Sequence, residues 1–116
     1  QLLDHLKVPW NVNYPAACMG NYIIKNPGIF EDEIKQYIDG KELLFNFFKE
    51  SYFAIPSKTN YFLLKVKDSK LLYQSFFENN ILIRECSSFG LKNYVRINSR
   101  KVHDCENFLN VFKKVS

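Results

Sequence analysis

Residues 81–100, ILIRECSSFGLKNYVRINSR, decide the fold that this sequence predicts, because they read as a strand, a polar turn and a second strand. The first strand is the isoleucine-rich run 81–85, the second is the alternating run 94–99, and Gly90 marks the bend between them. Successive side chains of a strand point to opposite faces. One face of the second strand therefore carries Tyr94, Arg96, Asn98 and Arg100. The opposite face carries Val95, Ile97 and Ser99.

The arginines of this segment are its candidate binding residues. Arg96 and Arg100 share a face of the second strand, and Arg84 lies on the neighbouring strand. Guanidinium groups bind carboxylate and phosphate through paired hydrogen bonds, so the three together would form an anion site. The alternative is that these arginines are solvated and that their aliphatic stems cover apolar surface. The pattern by itself leaves both interpretations open.

The rest of the chain predicts further helices and strands around this pair. Helices are expected at 15–25, 29–50, 68–78 and 103–115, and strands at 52–55 and 60–67. An apolar stripe of the long second helix, expected to face the core, includes Phe30, Ile34, Tyr37 or Ile38, Leu44 or Phe45, and Phe48. Gly40 interrupts that helix as a weak point of about 1 kcal/mol relative to alanine. Helices and strands each need a partner layer for their apolar face, so the order of elements predicts an α+β domain. We expect a small, mostly antiparallel sheet of three to four strands, covered on one face by helices.

Length and composition indicate one globular domain. The 116 residues are 47% hydrophobic and 16% aromatic, which is not the composition of a disordered chain. No apolar run reaches the length of a membrane span, so we expect no membrane association. The net charge of +4 permits nucleic-acid binding without indicating it. Because the chain begins with Gln1, we expect it to be a piece of a longer protein or a processed one.

Three cysteines, Cys18, Cys86 and Cys105, show no paired spacing. An odd, scattered set argues against a disulfide framework and against a zinc site, and it fits a reducing cytoplasm. His5 and His103 also lack metal-ligand spacing, so no metal is expected.

Two motifs carry a resemblance to a known family. The segments PWNVN at 9–13 and IRECSSFGLKNYVRINSR at 83–100 are similar to those of fold-type I pyridoxal-phosphate enzymes, in the branch of histidinol-phosphate aminotransferase and threonine-phosphate decarboxylase. The resemblance implies an interdomain arm at 1–14 and a C-terminal small domain at 15–116. The large, cofactor-binding domain is absent from the chain.

The resemblance also implies roles for particular residues. Arg96 would contact the anionic group of the substrate, Arg84 would assist it, and Arg100 would add a third donor. Asn11 would be a fourth substrate-binding residue, because it lies in the arm that passes close to the active site in such enzymes. Arg100 favours the decarboxylase side, which belongs to cobalamin biosynthesis, but the choice between transamination and decarboxylation stays open.

Cofactor and partners follow from the same resemblance. The longer parent would use pyridoxal phosphate, whereas this chain has neither the Ser-x-x-Lys motif that bonds the cofactor nor a glycine-rich phosphate loop. Ser57-Lys58 lies between predicted strands, which is the wrong context. We therefore expect no cofactor and no catalytic residue in the chain itself. Its expected partners are a small anionic amino substrate and the large domain of a homodimeric parent.

A different class of function also fits the residues. A free-standing α+β module with a basic sheet could bind single-stranded nucleic acid, with Tyr61, Tyr94 and Arg96 as contacts. A third possibility is a structural interaction domain that docks on a protein partner through residues 1–14.

Overall fold

The computed structural model describes residues 12–115. Its helices are α1 (Tyr14–Lys25), α2 (Glu31–Lys49), α3 (Ser69–Glu78) and α4 (Val102–Val115). Its strands are β1 (Ala54–Ile55), β2 (Tyr61–Lys65), β3 (Arg84–Glu85) and β4 (Tyr94–Asn98). Two 3-10 turns, Pro27–Phe30 and Ser87–Phe89, complete the regular structure of the described residues. The chain divides into two compact units, residues 1–32 and 33–116.

The described part of the first unit is dominated by α1. Its N-terminus is capped by Asn13, whose side-chain oxygen accepts a hydrogen bond from the Ala16 N–H at 2.9 Å. None of its side chains is buried. The helix begins at Tyr14, which is the last residue of the predicted arm.

In the second unit, the four strands form one antiparallel sheet in the order β1-β2-β4-β3. The central pair, β2 and β4, runs in register from Tyr61 opposite Asn98 to Lys65 opposite Tyr94. The strand predicted at 81–85 is shortened to its last two residues. Residues 81–83 lie outside the strand. Asn80 has a left-handed φ of 59°, and the Ile81 N–H donates to the Phe76 carbonyl of α3, so the backbone of Ile81 is still bonded to the helix.

The core lies on one face of this sheet. Phe62, Leu64, Val95 and Ile97 are buried there, as the period of two predicts. Helices α2, α3 and α4 contribute aromatic rings to the same core: Phe48, Phe76, Phe108 and Phe112. Offset and edge-on ring contacts add to the stability that burial provides. The α+β fold is confirmed, with a four-stranded antiparallel sheet.

The prediction that the whole apolar stripe of α2 faces the core is wrong for its first half. Ile34 and Ile38 are 55% and 52% exposed, whereas Leu44 and Phe48 are buried. The 19-residue helix is about 28 Å long, and the five-residue central strands span only about 17 Å. The sheet is therefore too short to cover the entire helix.

Candidate functional site

Arg84 and Arg96 lie directly opposite each other on adjacent strands, with their side chains on the face of the sheet opposite the core. The Arg84 guanidinium lies 4.9 Å from the centre of the Phe89 ring, and its Nη2 is 3.4 Å from the Ser88 Oγ. The Arg96 guanidinium lies 4.8 Å from the centre of the Tyr61 ring. Both cations therefore rest on aromatic rings.

Neither arginine has an anionic partner among residues 12–115, since the ion pairs of that part of the chain involve other cations. In addition, the buried Nε of Arg96 has no hydrogen-bond partner in the described residues. A buried donor without an acceptor costs about 1–3 kcal/mol, and more when it carries charge. An anion on this face of the sheet, between the two guanidinium groups, would balance both charges.

A cavity gives such an anion access to the site. Its volume is about 1090 Å³, and it takes residues from β3, β4, α4 and the segment 79–83. All three predicted arginines line it, together with Glu85, Asn98 and Asp104. The structure thus brings Arg84, Arg96 and Arg100 to one cavity.

Arg100 differs from the other two arginines. Its Nε lies 3.6 Å from an oxygen of Asp104, in the first turn of α4, and both side chains are exposed. Exposed pairs of this kind contribute about 0.2–1 kcal/mol, so the pairing is weak but places a negative charge beside Arg100. Asn11, the fourth predicted site residue, lies outside the described residues.

Glu85 is a member of the site that the sequence interpretation missed. Its carboxylate accepts hydrogen bonds from the Ser69 hydroxyl at 2.8 Å, the Ser87 N–H at 3.0 Å and the Ser87 hydroxyl at 2.5 Å. These hydroxyl groups of Ser87 and Ser69 hold the pKa of Glu85 below its ordinary value. A separation of 16 residues between Ser69 and Glu85 leaves no periodic signal in the sequence.

The cysteines are not candidate nucleophiles in the described structure. Burial raises the pKa of the Cys86 thiol, although the positive charges of Arg96 and Arg84 act in the opposite direction. Burial also raises the pKa of Cys105. Both thiols are thus held in the protonated form, and all three cysteines are free, as the scattered spacing predicts.

The remaining candidates offer little chemistry. Residues 12–115 contain no cluster of acidic, histidine or cysteine side chains able to hold a metal ion. His5 lies outside that range.

One side of the Tyr61 ring is covered by Arg96, so this ring is not free to stack on both faces. No helix among the described residues is long and apolar enough to cross a membrane.

Comparison with known proteins shows relatives over nearly the whole chain, although no family model matches. The histidinol-phosphate aminotransferase of Hydrogenobaculum sp. (strain Y04AAS1) is 31% identical over an alignment 122 positions long, which covers 98% of the chain and 34% of the relative. The chloroplastic histidinol-phosphate aminotransferase of Nicotiana plumbaginifolia is 31% identical over 118 residues, covering 97% and 29%.

Solved structures show the same fold. L-threonine-O-3-phosphate decarboxylase from Porphyromonas gingivalis matches with a TM-score of 0.71 and 27% identity over 92% of this chain and 35% of that one. Histidinol-phosphate aminotransferase from Clostridium acetobutylicum matches with a TM-score of 0.59 and 26% identity over 94% of this chain and 35% of that one. A Burkholderia pseudomallei protein, described as an aminotransferase, has a TM-score of 0.78 at 16% identity over 97% of this chain and 35% of that one, which shows the fold alone.

Sequence and fold together place the chain among the pyridoxal-phosphate-dependent aminotransferases and related decarboxylases. Within that class it belongs to the branch of histidinol-phosphate aminotransferase and threonine-phosphate decarboxylase, as the two sequence motifs predicted. The chain spans about a third of the length of the curated relatives it matches.

Proposed function

We propose that this chain is the substrate-side small domain of a pyridoxal-phosphate-dependent aminotransferase or decarboxylase, in which Arg96 and Arg84 bind the anionic group of a small amino substrate. The observation that carries the proposal is the pair itself. Two arginines lie opposite each other in register and have no carboxylate partner in residues 12–115, and one of them has a buried donor without an acceptor.

The chemistry of the pair suits phosphate or carboxylate. Each guanidinium is a planar fork that donates two parallel hydrogen bonds to the oxygens of such a group, and charge on both partners makes these bonds strong. An anion held from two strands has a fixed position, so the bond to be broken is oriented relative to the rest of the site. Arg100 is a secondary donor in this proposal, because Asp104 already offsets part of its charge.

The described residues do not fit covalent attachment of the cofactor. No lysine is among the residues that line the cavity, and Lys58, whose sequence context already argued against this role, lies exposed in the turn between β1 and β2. When bound, pyridoxal phosphate supplies the electron sink for chemistry at the substrate's α-carbon. We propose that its attachment belongs to another part of a longer parent and that this chain is inactive alone.

Exposed apolar side chains support the proposed partner, the large domain of that parent. Tyr14 and Ile24 of α1 are exposed, and so, separately, are Ile34 and Ile38 of α2. Ile34 and Ile38 are neighbours one helical turn apart, and contiguous exposed apolar surface of this kind generally marks a contact site. Since the relatives are about three times as long as this chain, we propose that the additional domain covers these residues in a homodimeric, cytoplasmic parent. A place in cobalamin biosynthesis stays a prediction, as does the choice between the two reactions.

The proposal is tested by titrating the 116-residue chain with inorganic phosphate and following the arginine Nε–Hε resonances by NMR. We expect phosphate to shift the resonances of Arg84 and Arg96. Arg96→Gln should lower the affinity at least about tenfold, because it removes a charged hydrogen bond worth about 1.5–3 kcal/mol. Lys114→Gln makes the same change in net charge on a residue that does not line the cavity, and should have less than about a twofold effect. Equal affinity in these two variants would refute the arginine assignment.

A further inference from the structure

Glu85 lies between the first turn of α3 and the 3-10 turn after β3, whose Ser88 lines the cavity. We infer that Glu85 is a positioning residue for Arg84: its carboxylate fixes the turn that holds the Arg84 guanidinium and thereby sets the affinity of the site for an anion. This inference rests on the proposed function, because it concerns how the same site is built.

Both oxygens of the Glu85 carboxylate accept hydrogen bonds, from donors on two elements. Its Oε1 accepts from the Ser69 hydroxyl at 2.8 Å and from the Ser87 N–H at 3.0 Å, and its Oε2 accepts from the Ser87 hydroxyl at 2.5 Å. Ser69 is the first residue of α3 and is only 3% exposed, so it is a fixed anchor point. The acid therefore ties the 3-10 turn to a buried point of the fold.

The same 3-10 turn supplies both contacts of the Arg84 side chain. It begins at Ser87, which Glu85 holds, and continues through Ser88 and Phe89, which contact the guanidinium. Its backbone is closed by the Phe89 N–H donating to the Cys86 carbonyl at 3.0 Å and by Gly90 in a left-handed conformation, with φ at 78°. A shift of Ser87 would consequently move both supports of Arg84 together.

Glu85 does not neutralise the arginine next to it in sequence. It forms no ion pair with Arg84 or Arg96, and Lys70 of α3 is the cation whose charge acts on its carboxyl group in addition to the hydrogen bonds. Adjacent strand residues point to opposite faces, which separates the two side chains. Because its oxygens are occupied by the serines, the acid supports the site without cancelling the positive charge of Arg84.

Glu85→Gln distinguishes a positioning role from a purely electrostatic role, because the two roles predict opposite changes in the affinity for sulfate. Glu85→Gln deletes a negative charge beside an anion site, so electrostatics alone would raise the affinity for sulfate. Positioning predicts that the affinity falls about three- to tenfold, since a disordered guanidinium loses part of its charged hydrogen bonds. Glu50→Gln, at an exposed position that does not line the cavity, is the matched control and should leave affinity nearly unchanged.

The experiment is a sulfate titration of the 116-residue chain, with the Nε–Hε resonances of Arg84 and Arg96 followed separately. In Glu85→Gln we expect the response of Arg84 to be lost while that of Arg96 is retained. In an Arg84→Gln background, Glu85→Gln should cause no further loss, because the residue acts through Arg84.

The outcomes are distinguishable. If the wild-type chain shows no response to sulfate at either arginine, the anion site fails and this inference fails with it. If the wild-type chain responds but Glu85→Gln binds sulfate equally or more tightly, the positioning role alone is overturned. A loss that persists in the Arg84→Gln background shows a general effect on the fold and also overturns it.

Discussion

Gly40 of α2 packs directly against the carbonyl group of Arg100. A Cβ at Gly40 would lie far inside van der Waals contact of that oxygen and 3.0 Å from the Cys105 Sγ. The sequence suggested that Gly40 is only a weak point of the helix. The structure shows instead that α2 can reach the start of α4 only because this position has no side chain.

Replacing Gly40 by alanine should therefore destabilise the protein. The gain in helix propensity of about 1 kcal/mol is opposed by overlap with a backbone atom, and we expect a net loss of about 1–3 kcal/mol in the free energy of unfolding. Urea unfolding followed by circular dichroism measures the change. Gly20→Ala is the control, since nothing lies within 4 Å of its Cβ and it should be neutral or stabilising. Similar stability of the two variants would show that α2 shifts freely.

Lys41 holds the turn between β1 and β2, because its Nζ donates hydrogen bonds to the carbonyl oxygens of Ser57 and Thr59. Lys41→Met keeps most of the aliphatic stem but leaves both acceptors without this donor. We expect a loss of about 1–2 kcal/mol and faster hydrogen exchange in the turn. Lys49→Met removes a lysine that bonds only the exposed Asn46 side chain in the described structure, and it should have little effect. Unchanged exchange in Lys41→Met would contradict the assignment.

Ser99 presents the opposite case, a buried hydroxyl that costs stability. Its side chain is 1% exposed, and its Oγ has no hydrogen-bond partner among the described residues. Ser99→Ala removes this unsatisfied group, and we expect a change between zero and a gain of about 1 kcal/mol. Ser69→Ala is the matched comparison and should be destabilising, because that hydroxyl donates to Glu85. Thermal unfolding of the two variants tests whether their stabilities change in opposite directions. A loss of stability in Ser99→Ala would mean that the Ser99 hydroxyl has a hydrogen-bond partner in solution.

The hydrogen bonds of Glu85 make part of the stability depend on pH. Its pKa is lowered in the folded state by the hydroxyl groups of Ser87 and Ser69, so its contribution is fully present above the unfolded carboxyl pKa. That contribution is lost as the pH falls through the folded pKa, which lies below the ordinary pKa of a glutamate carboxyl group. The stability difference between wild type and Glu85→Gln should thus be largest near neutral pH and shrink in acid. Urea unfolding across this range checks it, and a difference that grows in acid would show a raised pKa instead.

Cofactor binding separately tests the proposal that pyridoxal phosphate is attached to another part of a longer parent. Since no lysine lines the cavity, the 116-residue chain mixed with pyridoxal phosphate should give the absorbance spectrum of free cofactor plus nonspecific surface adducts. Lys58→Arg, at the lysine that follows Ser57 in the turn between β1 and β2, should leave the spectrum unchanged. A saturable band that disappears in Lys58→Arg would contradict the proposal that the cofactor is attached elsewhere.

Local patterns predicted the central strands and their faces. The alternation in β4 identified Val95 and Ile97 as one face, and these residues are buried; Phe62 and Leu64 alternate in the same way in β2 and are buried as well. The cap of α3 is equally local, since the Asp68 side chain accepts from the N–H groups of Lys70 and Leu71 at 3.0 Å each. Period and capping depend on residues within a few positions of each other, so they can be read without the fold.

The sequence was less informative where one element limits another. Residues 81–83 have strand composition, yet the Ile81 N–H remains bonded to α3 and the strand starts only at Arg84. The first half of α2 has the spacing of a core helix but extends past the sheet that would cover it, leaving Ile34 exposed. In both cases the outcome depends on the length and position of a neighbouring element, which composition does not specify.

The amino-acid sequence alone determined which side chains of β4 share a face, that Arg84 belongs to a neighbouring strand, and which family the chain resembles. Only the tertiary structure decided that Arg84 stands opposite Arg96, that Arg96 rests on Tyr61, and that Glu85 is held by Ser69. The physical reason is one of range. Backbone geometry sets the direction of a side chain from its own position, whereas its partners depend on strand register and helix packing between segments that lie far apart in the chain.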